Sequence, residues 1–368
     1  MNGRERLWAA LRCQPVDELP VMLQGLAPGH PSRVYRDASW DAVLDRYAET
    51  GDVLHMFPPV TAPSDDTVKV TTRLLARTDD YQDVETHYET PSGSLTMVRR
   101  DQFLTGATIK HAVTSPKDLP AARWVLGQRL TVDLEATREC YESISQQPNT
   151  LPLLTESEPI EQVVGLMGAE TFALLLAEDP AALQELVEIA AQPTYERLET
   201  VLSSGIQPGV WTSGAEWVTP PYAGPATFRR LVVPYLTRMV DIAHRHGCPV
   251  FSHCHGKLRA VLDDYVGTGI DASHPFEAPP MGDITPRELR DHMRQLGRRV
   301  CWVGNIQLDD VLRAPTAEIA RQVDALLEVF ADWQQGGFIL SVSGTATCRQ
   351  VSAQAVKNLL YLLDRKRG

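Results

Sequence analysis

Short apolar runs recur along the whole chain, each closed by polar, proline or glycine residues. They fall at 20–24, 52–57, 151–155, 209–212, 250–253, 271–274, 300–304 and 337–341. Such runs are too short for helices and read as buried strands. Longer stretches lie between them, with apolar positions at helical spacing: 4–13, 40–50, 130–145, 159–167, 169–177, 180–203, 225–246, 258–266, 286–296, 315–333 and 353–364. In 40–50, for example, Leu44, Tyr47 and Ala48 share one face. From the third strand onward, every strand is followed by a helix. Eight parallel strands alternating with helices predict an α/β fold, a (β/α)8 TIM barrel. A doubly wound sheet would want a glycine-rich phosphate loop after its first strand. Neither G-x-G-x-x-G nor G-x-x-x-x-G-K-[ST] occurs.

Residues 67–103 break this rhythm. Three stretches there, 68–75, 84–89 and 94–99, are rich in β-branched and polar residues, and Pro91-Ser92-Gly93 joins the last two. They predict an antiparallel β meander inserted near the amino end. The expected organisation is one barrel domain over 1–368, with 67–103 as a β insertion.

Composition narrows the function. Of 368 residues, 43% are hydrophobic and 22% charged, enough apolar matter for a large core. A net charge of -12 with no basic tract speaks against nucleic acid as a partner. The amino end opens an amphipathic helix rather than a leader, and no uncharged apolar run of about 18 residues suggests a membrane span. Cys13, Cys140, Cys248, Cys254, Cys301 and Cys348 are scattered rather than spaced as a disulfide framework. Free thiols and a cytoplasmic setting are expected.

Active sites of such barrels lie where the strands end. The fifth strand ends in Ser252-His253-Cys254-His255-Gly256. Alternation turns His253 and His255 to one face and Cys254 to the other. Two imidazoles, with Cys348 from the loop after the eighth strand, suit zinc with a fourth position open. Hydrogen bonding in a polar barrel mouth would account for the same histidines, and both readings stand. Glu216, after the fourth strand, could act as base, bind a cation or complete a metal site. His274 and Glu277 follow the sixth strand, and His274 joins Glu216 as a candidate catalytic residue. Gln24, Glu156, Trp217, Tyr222 and Asn305 complete the strand-end set as candidate substrate contacts. G-x-S-x-G and H-E-x-x-H are absent.

Several of these stretches resemble the uroporphyrinogen decarboxylase superfamily, in particular its corrinoid-dependent methyltransferase branch. They include Glu158-Pro159-Ile160-Glu161, Gly165-Leu166-Met167-Gly168, 214–221, 251–256, 274–283, Val303-Gly304-Asn305-Ile306 and 341–348. The resemblance implies a (β/α)8 barrel and zinc held by H-x-C plus a late cysteine. His253 and Cys348 match that pattern, while His255 stands where the branch has cysteine. A His/His/Cys site is the more Lewis acidic and suits an oxygen or nitrogen methyl donor. The decarboxylase branch has an arginine-rich amino-terminal segment, and the matching Gln24-Gly25-Leu26-Ala27-Pro28-Gly29 has no arginine. The expectation is therefore a zinc methyltransferase moving a methyl group from a small O- or N-methylated substrate to a corrinoid (cobalamin) on a partner protein. A homodimer is compatible with this. A metal-dependent lyase, decarboxylase or hydrolase on the same barrel is the alternative. A barrel that has lost its chemistry and only binds is a third.

Overall fold

The computed structural model describes residues 1–29, 36–102 and 104–365. Eight strands form the central sheet: β1 (Val21–Met22), β2 (Val53–Phe57), β3 (Thr150–Ser157), β4 (Gly209–Ser213), β5 (Val250–His253), β6 (Ala272–His274), β7 (Cys301–Ile306) and β8 (Phe338–Val342). Their spatial order is β1-β8-β7-β6-β5-β4-β3-β2, with every neighbouring pair parallel. The two end strands meet through Asp52. Its N–H donates to the Val21 carbonyl at 3.1 Å, and its carboxylate accepts the Val21 N–H at 2.9 Å. The result is the TIM barrel that the apolar runs predict.

One apolar cluster takes residues from all eight strands, among them Met22, Leu54, Leu153, Trp211, Phe251, Ala272, Val303 and Ile339. Leu7, Ala10 and Leu11 of α1 (Gly3–Leu11) belong to the same cluster and plug the amino-terminal end of the barrel. Asn2 caps α1 in a capping box with Glu5, and Arg6 bridges Asp17 at 2.7 Å and Asp52 at 2.8 Å. Residues of opposite parity, such as Leu154, Val210 and Val250, pack outward under the helices.

Residues 159–177 are expected as two helices, and the span α2 (Pro159–Glu178) is indeed divided into two helical segments by the non-helical backbone of Gly168. Gly168 has φ 72°, and a Cβ there would sit 2.6 Å from the His111 ring. By length and composition alone α2 could cross a membrane, but it is an outer-core helix packed on α3 (Pro180–Ser203).

The insertion is larger than its predicted bounds. Lys69–Arg77, Gln82–Thr90 and Gly93–Asp101 form the meander, and Gly106–Lys110 adds a fourth antiparallel strand beyond residue 103. The expected helix 130–145 begins later. Leu130–Val132 pairs antiparallel with Thr61–Pro63, and Leu134–Ser145 is the helix. Asp133 divides them, because its carboxylate caps the helix by accepting the Ala136 N–H at 3.0 Å.

A histidine cluster at the candidate active site

The carboxyl ends of β4, β5 and β6 carry the densest chemistry in the molecule. His253 and His274 are register partners on adjacent strands. Their rings stack with centroids 5.1 Å apart, and Trp211 stacks on the His253 ring at 5.0 Å. The ring of His255 meets His253 edge-on at 4.7 Å. Strand alternation places His253 on the inner face, and His255, two residues past the strand end, brings its ring against it on the same side, as expected.

The hydrogen bonds set the tautomers. His274 Nε2 lies 2.9 Å from the Val342 carbonyl, which only accepts, so Nε2 carries the proton. Burial pushes the His274 pKa down to about 4 and keeps the ring neutral. Its Nδ1 is then an acceptor, and His253 Nδ1 donates to it at 3.0 Å. His253 is left with an unshared pair on Nε2. Burial, followed by the neighbouring His274 and His255, holds His253 well below the ordinary histidine range. His255 is backed differently. Its Nδ1 lies 3.3 Å from Glu277 Oε2, which also accepts the Gly256 N–H at 3.0 Å. Burial opposes a charge on His255, but Glu277 outweighs it and raises the pKa. Each ring thus has its Nδ1 engaged by a supporting group, the arrangement that orients metal-binding histidines.

Glutamates crowd the neighbouring turn. Glu216 Oε2 accepts the Gly214 N–H at 3.2 Å, and burial with nearby Glu161 raises its pKa. Glu161 accepts the Ser213 hydroxyl at 2.7 Å. Glu158 is 1% exposed, and neither of its carboxylate oxygens has a hydrogen bond of acceptable geometry among the described residues. Burial, then Glu216 and Glu161, raise its pKa well above the ordinary value, against a smaller opposing pull from the Thr212 and Ser252 hydroxyls. Gly214, at φ 130°, turns the chain tightly between them, and a Cβ there would lie 2.7 Å from that of Glu161.

Other expectations need correction. Glu156 does not face the mouth. Its parity turns it outward under α3, where Arg197 grips it at 2.9 and 3.2 Å. His274 is fully buried with both nitrogens engaged, so it positions His253 rather than meeting substrate. Asn305 donates to the Phe276 carbonyl at 2.6 Å and holds the loop backbone. Gln24 is buried just past β1. Trp217 is half-buried beside Tyr222, their rings 6.2 Å apart, while Tyr222 is largely exposed. Cys254 faces outward into the core with no exposure, as parity predicts, and burial raises its thiol pKa well above the ordinary range.

Cys348 does not join the histidines as arranged. It is half-buried at the edge of the core cluster beside β8. Among the described residues, no three of His, Cys, Asp and Glu stand close enough together to hold a metal ion. The two imidazoles therefore suit zinc in donor chemistry and support, whereas the expected sulfur is missing from the set. Sequence reasoning also missed Arg36, which donates to the Ala346 carbonyl at 2.8 Å and the Cys348 carbonyl at 3.5 Å. Its guanidinium lies 4.5 Å from the centre of the Trp40 ring. No spacing signal links positions 312 residues apart. Glu161 was more accessible to reasoning, as it follows Glu158 by one helical turn.

A parallel barrel with a histidine and carboxylate cluster at the carboxyl ends of its strands has the form of an enzyme active site. The chain belongs to the uroporphyrinogen decarboxylase family, whose sequence pattern matches residues 105–362. No curated protein matches it at a significant level. Among solved structures it is similar to a methyltransferase from Methanosarcina mazei, at 15% identity and a TM-score of 0.60, covering 99% of this chain and 98% of that one. That likeness establishes the shared fold over essentially the full length. The YdhT protein from Bacillus subtilis is a more remote neighbour, at 8% identity and a TM-score of 0.40, covering 92% of this chain and 84% of that one.

Proposed function

We propose that this chain is a methyltransferase. It takes a methyl group from a small O- or N-methylated compound and passes it to a corrinoid carried by a partner protein. The observation that carries the reading is the pair His253 and His255, each backed at Nδ1 and presented at the barrel mouth. The full-length likeness to a protein named as a methyltransferase supports it. Zinc would be held by His253 and His255, with Cys348 the expected third ligand, and would supply Lewis acidity toward the heteroatom bearing the methyl group.

The chain's own residues have defined tasks. His274 keeps His253 in its Nδ1–H tautomer, and Glu277 orients His255. Glu216, whose carboxyl tends to keep its proton, can deliver that proton to the oxygen or nitrogen that loses its methyl group. The six cysteines, all free, suit a cytoplasmic setting. Decarboxylation is the second reading, favoured by the family's name. Against it, the described 24–29 segment has no arginine, and Arg36 is engaged with backbone carbonyls.

The test is methylcobalamin formation from free cob(I)alamin, followed by absorbance across a panel of methoxylated and methylated-amine donors. Turnover with one donor class is expected, together with loss of at least about a hundredfold in His253→Ala. Bound zinc should fall in His253→Ala and Cys348→Ala. No methyl transfer from any donor in zinc-replete protein would overturn the proposal, and zinc content unchanged in both variants would overturn the ligand set.

A further inference from the structure

At the opposite end of the barrel, a pocket of about 310 Å³ opens beside the amino-terminal ends of β7 and β8. Its wall carries Arg290, Arg294, Arg298 and Arg299, against a single lining carboxylate, Asp332. In a chain whose net charge is -12, four guanidinium groups in one small concavity need a reason.

Internal pairing does not supply one. Arg290 bonds Asp332 and lies 5.0 Å from the centre of the Phe330 ring, yet its buried Nε has no partner among the described residues. Arg298 donates one bond to the Val266 carbonyl at 2.9 Å, and Arg299 one to the Gln335 carbonyl at 3.0 Å. Arg294 reaches Asp291 only at 3.8 Å. A guanidinium has five N–H donors, so most of this capacity is unspent. The helix Pro286–Leu296 ends here, and its carbonyl end attracts a cation. That effect accounts for one arginine in its last turn, not for four. The floor is apolar, formed by Phe330, Trp302 and Met293.

We infer that this pocket binds a small organic phosphate, its phosphoryl group on the arginines and its apolar part along the Met293 and Trp302 side of the lining. Planar guanidinium forks match phosphate oxygens two at a time. The surplus of positive charge suits a dianion better than a monocarboxylate, and a concave low-dielectric wall concentrates its field. The volume is at the lower end for ligand pockets and admits one ring with one phosphate. This site is separate from the histidine cluster and does not depend on the reaction proposed there.

Calorimetric titration of the full chain with phenyl phosphate tests it, with phenol and inorganic phosphate as companion ligands. Saturable one-to-one binding of phenyl phosphate is expected, tighter than either companion and weakened by added salt. Arg299→Ala and Arg294→Ala, both at exposed positions, should each weaken it by about tenfold without moving the urea midpoint. His253→Ala should leave it unchanged. Absence of saturation up to roughly 10 mM, or an affinity in both arginine variants equal to that of the unaltered chain, would overturn the assignment.

Discussion

Over β4 to β6 the barrel mouth carries titratable side chains that support one another. Over β7, β8 and β1 it carries amides, hydroxyls and a thiol whose neighbours are mostly backbone. In the first half His274 backs His253, Glu277 backs His255, and Glu158, Glu161 and Glu216 crowd the turn at Gly214. In the second, Asn305 holds the Phe276 carbonyl, Ser343 accepts the Leu308 N–H at 3.1 Å, and Arg36 secures the segment carrying Cys348. The difference separates two jobs. One half can exchange protons and offer unshared pairs; the other keeps loops in place.

The largest expected effect probes the charge behind the first half. Glu156 and Arg197 form a buried, two-point ion pair, with side chains 3% and 12% exposed. Arg197→Ala strands the carboxylate, and urea unfolding should show a loss of about 3–5 kcal/mol. Glu158, two residues on, has no such partner among the described residues, and burial raises its pKa well above the ordinary value instead. Its folded pKa lies above the unfolded value of about 4.3. The stability it contributes is therefore complete below that pH and is lost as pH rises through the folded pKa. Glu158→Gln should flatten that fall by up to about 1.4 kcal/mol per pH unit, seen as a variant that gains on wild type toward neutral pH.

In the second half, Arg36→Ala removes two charge-assisted bonds to loop carbonyls. Opening of the Cys348 segment should become easier by about 1.5 kcal/mol, and thiol labelling there roughly tenfold faster. Unchanged labelling would show that the loop holds itself. The smallest effect is at Tyr222, largely exposed beside Trp217. Tyr222→Ala should shift stability by no more than about 0.5 kcal/mol, so any large change in substrate KM would mark a binding role.

The barrel was readable because its strands are short apolar runs with helices between, a period that survives without any contact information. The inner placement of His253 and His255 followed from alternation alone, and so did the outward placement of Cys254. Glu156 obeyed the same rule but was counted as a mouth residue because it stands near a strand end. Its true partner, Arg197, lies 41 residues away on α3. The separation of Cys348 from the histidines was illegible for a different reason. It depends on how a long loop is held, and the holder, Arg36, gives no local signal. The boundary at Asp133 was missed because Leu130–Val132 is apolar enough to continue a helical pattern, while the carboxylate that starts the helix is a single residue.

β5 also limits how this region can be altered. Adjacent side chains there alternate between the lumen and the oily layer beneath the helix Val233–Arg245. Deleting one residue ahead of Ser252 would slide the register and exchange the two sides. Both imidazoles would then be driven into hydrocarbon, and the thiol of Cys254 would stand in the cavity in their place. Remodelling this centre therefore has to proceed by point replacement, since even the shortest deletion inverts it.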